Sequence, residues 1–239
     1  MLAQTIGKQF SAWREAISRS LVQLGIGPNV LTVAGFICTL FCAIFIGMGL
    51  LPVALIFIVL AGACDMLDGA VARITHQGTD FGAVLDSTVD RYSDTVLYMG
   101  ILYYFMVGNG DALFQLLTVL AMAGSLGTSY VRARAENVVK ECRTGFWERG
   151  ERVSYILIGM VFNHLKIVIF LLAIFTNVTV LQRLFYTRWE LARLEQKPIW
   201  PQAGRLSDLV FWNYDRGAWQ YDVAVAVFFA IAVVVRWCS

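Results

Sequence analysis

Between residues 29 and 186 the chain reads as six apolar stretches, at about 29–48, 50–74, 80–107, 111–134, 150–165 and 167–186, separated by short polar turns. Crossing about 30 Å of hydrocarbon takes ~20 apolar residues in a helix, and most of these stretches are long enough. The fifth is the weakest, because Asn163-His164-Leu165-Lys166 leaves only a short turn before the sixth. Composition agrees with a bilayer solvent: 58% of residues are hydrophobic and 15% charged, against about 25% charged in a usual soluble domain. The expected fold is an all-α integral membrane protein. It has an N-terminal amphipathic surface helix, a six-helix transmembrane bundle and an extra C-terminal hydrophobic segment.

Residues 4–24 place Phe10, Trp13, Ile17 and Leu21 at helical spacing, with Lys8, Arg14 and Arg19 on the other side, the pattern of a helix lying on a membrane. The same charges interrupt any cleavable signal pattern. Gly27-Pro28-Asn29 then breaks the chain, and Pro28 suits the first turn of a new helix. Basic residues gather before the first span, at Arg73, between the fourth and fifth spans (Arg132, Arg134, Lys140, Arg143, Arg149, Arg152) and after the sixth (Arg183, Arg188, Arg193, Lys197). By the positive-inside rule the N-terminus and residues 187–219 are cytoplasmic. Residues 187–219 are polar and hold Trp189, Trp200, Trp212 and Trp219, as an interfacial segment would. The apolar run at 223–235 has thirteen residues, open to reading as a seventh crossing or as a re-entrant or surface helix. The organisation is thus 1–27, a surface helix; 28–186, a six-span catalytic region; and 187–239, an interfacial tail. A net charge of +2 gives no footprint for nucleic acid, and the five scattered cysteines form no CxxC pair, so neither a disulfide framework nor a zinc site is indicated.

Four carboxylates, Asp65, Asp68, Asp86 and Asp90, lie within the second and third spans. An ionised Asp at the centre of a membrane helix costs about 2.5–3.5 kcal/mol on insertion scales, which makes it a functional candidate. At about 100° per residue, with Asp65 at zero, Asp68 falls near −60°, Gly69 near 40°, Ala72 near −20° and Arg73 near 80°. With Gly82 at zero on the next helix, Asp86 and Asp90 fall near 40° and 80°, and Asp94 near 120°, where an i,i+3 pair with Arg91 is the plainer reading. Oxygen-only ligands select hard cations such as Mg²⁺ or Mn²⁺. Four carboxylates suffice for two such ions, an arrangement suited to in-line attack at phosphorus. The structural alternative, buried Asp–Arg pairs, fails because one arginine cannot satisfy four acids.

The run from Asp65 to Asp90, D-x2-DG-x2-AR-x8-G-x3-D-x3-D, matches every fixed position of the signature of the CDP-alcohol phosphatidyltransferases, and the wider resemblance covers roughly residues 27–186. That resemblance implies a polar alcohol attacking the lipid-linked phosphorus of a CDP-activated lipid such as CDP-diacylglycerol, with release of CMP. It implies that Asp65, Asp68, Asp86 and Asp90 bind metal and that Asp90 is also the general base. Gly69, Ala72, Arg73 and Gly82 would cradle the CDP group, with Asn29 and Thr32 bordering the nucleotide. It further implies a homodimer.

The segments SYVRARAE at 129–136 and ERGER at 148–152 resemble those of prokaryotic phosphatidylinositol-phosphate and archaetidylinositol-phosphate synthases, whose acceptor is inositol phosphate. By that resemblance Arg132 and Arg152 hold the acceptor phosphate, with Arg183 as a third ligand. Glycerol 3-phosphate is the alternative acceptor, and the alternative role for these arginines is that of topology signals or interface anchors only. His76 and His164 read as turn residues. An intramembrane prenyltransferase would need a second acidic block near 140–190, and an ion or solute transporter using its carboxylates would show repeated halves or broken helices. Neither feature is visible in the sequence.

Overall fold

The computed structural model describes residues 2–75, 79–108, 110–142, 144–145 and 147–194, with side chains from residue 11 onward. The expectations for Phe10, Lys8, His76, Arg143 and the tail beyond 194, including 223–235, lie outside these residues or side chains. Among the described residues there are seven helices and no strand: α1 (Leu2–Gln23), α2 (Pro28–Gly47), α3 (Leu51–Thr75), α4 (Asp80–Val107), α5 (Ala112–Ala135), α6 (Arg149–Val161) and α7 (Leu165–Leu194).

The helix ends follow local chemistry. Pro28 opens α2 after Gly27 in extended backbone, where its missing N–H costs nothing. α2 ends at Gly47, and two residues on, Gly49 has φ 75°. There Leu50 N donates to Phe45 O at 2.9 Å and Gly49 N to Ile46 O at 2.8 Å, the paired bonds of a Schellman stop that needs a left-handed residue. Thr79 caps α4, its Oγ1 accepting from Gly82 N at 2.9 Å. At the start of α6 the Glu148 N–H donates to Glu151 Oε2 at 2.8 Å, one arm of a capping box.

Among the described residues four helices, α2, α3, α5 and α7, are long and apolar enough to cross a membrane. α4 has 28 residues but carries Asp80, Asp86, Asp90, Arg91 and Asp94. α6 has 13 residues, about 20 Å of helix, short of a ~30 Å core. The first four expected stretches begin and end within one residue of their helices. The fifth stops earlier than expected, at Val161, and the sixth runs eight residues past 186 to Leu194. Ile37, Phe41 and Ile44 on α2 and Ile56, Val59 and Leu60 on α3 point outward and are exposed, as befits helices whose solvent is hydrocarbon.

The chain packs as two compact units. In the first, Met1–Leu116 with Met160–Asn163, α2 packs on α3 and α4, and α1 on α3. Cys42, Ile46, Ala54, Ile58, Val71 and Ile101 are among its buried side chains. The tightest approach is backbone on backbone: a Cβ at Gly100 would lie 2.5 Å from Ala43 O and 2.7 Å from Ala43 Cα. Gly100→Ala therefore has to push α4 off α2, and a stability loss of about 1–3 kcal/mol is expected. A thermal melt in detergent checks this, and an unchanged midpoint would show that the contact yields freely.

The second unit comprises Leu117–Gly159 and the chain from His164 onward. Here α5 meets α7 through Asn177, whose Nδ2 donates to Leu120 O at 3.1 Å, and through Gly124, where a Cβ would collide with Thr176 Oγ1. Small residues of this kind let membrane helices approach closely. α6 meets α7 at Gly159, where a Cβ would lie 2.8 Å from Val168 Cγ2.

Candidate active site

Three carboxylates meet where α3 approaches α4. Asp65 and Asp68, on successive turns of α3, and Asp86 on α4 each offer an oxygen within 4.8 Å of the others. Asp68 is buried, Asp86 half-buried and Asp65 exposed, so the cluster is open on the Asp65 side. Asp90, one turn further along α4 and half-buried, is not one of the three. Asp94 is buried, and Arg91 Nε donates to Ser87 O at 3.2 Å.

The other expected residues of this face surround the cluster. Thr32 on α2 donates its hydroxyl to Asp68 Oδ2 at 2.8 Å, and its Oγ1 lies 3.2 Å from Pro28 O. One Asp68 oxygen is thereby engaged, which holds the carboxylate in a single orientation. Arg73 is exposed, with Nη1 3.8 Å from where a Cβ on Gly69 would stand, and Ala72 is half-buried. At the start of α4 a Cβ on Gly82 would meet Thr79 Oγ1 at 3.1 Å and Asn29 Oδ1 at 3.5 Å. Asn29, Thr79 and Gly82 thus form one small polar corner. Thr79 was not among the expected site residues, although a threonine three residues before Gly82 is a legible helix cap.

Three negative charges at this spacing repel one another unless a cation or protons sit among them. The donor set is carboxylate oxygen alone, fit for Mg²⁺ or Mn²⁺ and unfit for a soft metal. Asp65, Asp68 and Asp86 are therefore the residues that would hold a divalent cation, with Thr32 behind Asp68 as its outer support. Removing such a support commonly costs 10–100-fold in metal affinity. Thr32→Val, which keeps the side chain's shape, is accordingly expected to raise the Mg²⁺ or Mn²⁺ concentration for half-maximal activity about tenfold. An unchanged metal titration would remove Thr32 from this role.

The expected acceptor arginines belong to the second unit. Arg183 and Arg152 are buried, 4% and 3% exposed. Arg183 donates Nη1 to Thr128 O at 2.6 Å and Nε to Thr144 O at 2.9 Å. Arg152 donates Nη1 to Trp147 O at 3.2 Å and reaches Thr128 Oγ1 at 3.4 Å. Arg132 is half-exposed, with Nε 2.9 Å from Glu136 Oε1 and Nη1 3.6 Å from Glu148 Oε1. Arg132 and Arg152 both lie near enough to Arg183 for their charges to be felt there. Two guanidinium groups, of Arg152 and Arg183, thus meet at Thr128, with the charge of Arg132 felt at Arg183. Thr128, Thr144 and Trp147 were not foreseen as their partners, because all three accept through backbone carbonyls, which carry no sequence signal.

The family model of the CDP-alcohol phosphatidyltransferases matches residues 26–191. The archaetidylinositol phosphate synthase of Pyrococcus horikoshii is 38% identical over 172 residues, covering 72% of this chain and 88% of that protein. The phosphatidylinositol phosphate synthase of Mycobacterium tuberculosis is 35% identical over 190 residues, 72% of this chain and 84% of that one. A crystal structure of the M. tuberculosis enzyme with CDP-DAG bound matches with a TM-score of 0.71 at 31% identity, covering 78% of this chain and 98% of that chain. The same enzyme in complex with manganese and citrate gives 0.70 at 32%, covering 82% and 98%. A match of that extent, reaching from the start of α2 to near the end of α7 and taking in every signature position, makes this chain a CDP-alcohol phosphatidyltransferase.

Proposed function

We propose that the protein transfers the lipid-bearing phosphoryl group of a CDP-linked lipid, such as CDP-diacylglycerol, to inositol phosphate and releases CMP. The observation that carries the reaction is the three-carboxylate cluster with Asp90 one turn beyond it. Asp65, Asp68 and Asp86 hold a divalent cation, and Asp90 contributes to metal binding from its neighbouring turn. A cation there neutralises charge on the donor's two phosphates and makes CMP an adequate leaving group. Asn29, Gly69, Ala72, Arg73 and Gly82 line the CDP group, the glycines leaving room that a side chain would fill. Asp90 takes the proton from the attacking hydroxyl. The acceptor oxygen bonds to the lipid-linked phosphorus as the bond from that phosphorus to the CMP oxygen breaks.

Inositol phosphate as acceptor is supported by the buried Arg152 and Arg183 at Thr128, by Arg132, whose charge reaches Arg183, and by the names of the relatives. Arg132, Arg152 and Arg183 would hold its phosphate, guanidinium being suited to bidentate contact with phosphoryl oxygens. Glycerol 3-phosphate would use the same contacts. CMP release from CDP-diacylglycerol with Mg²⁺ or Mn²⁺, run with inositol phosphate, glycerol 3-phosphate, serine and free inositol in parallel, tests the choice. Release with inositol phosphate alone, abolished by chelation, is expected, and release with another acceptor would move the assignment. Failure with every acceptor, and also with an archaeal-type CDP-lipid, would overturn the reaction. Arg152→Ala is expected to raise the KM for inositol phosphate about tenfold or more while the donor KM changes little. An unchanged acceptor KM would take Arg152 out of the pocket.

The same reading makes α2 to α7 six crossings, with α6 completed by the residues flanking it. α1 lies on the cytoplasmic surface; the exposure of Trp13 and Ile17 supports this. In this reading the N-terminus and the active site face the cytoplasm, and residues 1–27, 28–186 and 187–239 are surface helix, catalytic region and tail of a homodimer.

A further inference from the structure

The connection between α5 and α6 exposes residues 136–138, 140 and 141, as a surface loop does, but turns four side chains inward. Val139, Cys142, Thr144 and Trp147 are each 4% exposed or less. Trp147 packs on Tyr155 and Phe175, with ring centroids 4.7 and 5.1 Å away. What covers the rest is one stripe of α7. Thr179 lies against Gly145, where a Cβ would collide with Thr179 Cγ2. Arg183 grips the carbonyls of Thr128 and Thr144. Tyr186 and Leu191 close over the cluster of Ala135, Val139 and Cys142, and Thr187, whose hydroxyl donates to Arg183 O at 2.7 Å, lies beside the Cys142 thiol. Positions 179, 183, 186, 187 and 191 follow the 3–4 spacing of a single helical face. The last of these lie beyond the apolar run that ends near 186. This part of the helix has a packing task separate from crossing the bilayer.

We propose that α7 beyond its apolar span is a brace, in which Tyr186 and Leu191 position the α5–α6 connection and with it the arginines that receive the acceptor's phosphate. The proposal rests on the acceptor reading above. Arg132 stands just before the connection and Arg152 just after it. Arg152 reaches Trp147 O and Arg132 reaches Glu148, so both guanidinium groups are set by how the connection is held. A site arranged before the ligand arrives avoids the cost of ordering it on binding. Loosening the brace therefore weakens acceptor binding and leaves the chemistry of bound substrates alone. Tyr186 and Leu191 are positioning residues.

Cys142 supplies a readout besides activity: it is fully buried and burial pushes its thiol pKa up, so it is protected from a water-soluble maleimide while the brace holds. In the full-length enzyme, Leu191→Ala is expected to speed Cys142 alkylation, followed by peptide mass spectrometry, about tenfold. It is also expected to raise the KM for inositol phosphate about five- to tenfold, with kcat and the KM for CDP-diacylglycerol within about twofold. Leu191→Met should restore both, and Tyr186→Leu gives a second variant should Leu191→Ala fold poorly. Unchanged alkylation in both variants overturns the brace. So does faster alkylation with an unchanged acceptor KM, or an equal loss toward donor and acceptor. Arg152→Ala is assayed alongside. An effect of Arg152→Ala without one of Leu191→Ala rejects the brace alone, whereas no effect of either rejects the acceptor site as well.

Discussion

Asp90→Asn is expected to lower turnover by about 10²–10⁴-fold, the range that a general base contributes, while leaving most of the affinity for CDP-diacylglycerol. Asparagine keeps the shape of the side chain and can still donate or accept a hydrogen bond, but it cannot take a proton. Asp90 stands one helical turn from Asp86 and outside the three-carboxylate cluster, so its charge is not the one the cluster most depends on. Two measurements check this: CMP release under saturating substrates and direct binding of the CDP-lipid in the presence of Mn²⁺. Turnover within tenfold of the wild type would remove Asp90 as the base. Loss of lipid binding in step with turnover would make it a metal ligand first and a base second.

Asp68→Asn should fail in the other direction, losing metal-dependent binding of the donor together with activity. Asp68 is buried between the Thr32 hydroxyl and the carboxylates of Asp65 and Asp86, so the change removes the central charge of the set. The wild-type protein should gain thermal stability as Mg²⁺ or Mn²⁺ is added, because a ligand that binds the native state alone stabilises it by about 2.7 kcal/mol at a hundredfold excess over Kd. Chelation should reverse that gain. In Asp68→Asn the apo protein is relieved of one repelling charge, so it should melt at least as high as the apo wild type and respond little to metal. A variant with a full metal-induced shift and full activity would sink the metal assignment.

Much of this arrangement was legible from residue order. The breaks at Gly27-Pro28-Asn29 and around Gly49 punctuate the apolar runs with residues that stop or start helices, so α2 and α3 fall within a residue of expectation. Helical angles brought Asp65 and Asp68 to one face and Asp86 to another, and the fold joins those two faces. Two things were not legible. Thr32 was expected beside the nucleotide, yet its hydroxyl bonds Asp68 across 36 residues of sequence, a pairing fixed by how α2 leans on α3. The continuation of α7 past 186 was hidden because Tyr186-Thr187-Arg188-Trp189-Glu190 has the composition of an interfacial segment. Its apolar stripe, Tyr186 and Leu191, has meaning only against Val139 and Cys142.

The Gly100–Ala43 contact has a mechanical consequence. Where one backbone rests directly on another, neither helix can roll or slide past its neighbour without steric collision, and there is no side chain between them to act as a bearing. α2 and α4 are therefore pinned against each other at this point. Any rearrangement of Thr32 and Asn29 on one helix relative to Asp86 and Gly82 on the other has to pivot about that contact, because the backbones cannot move closer there.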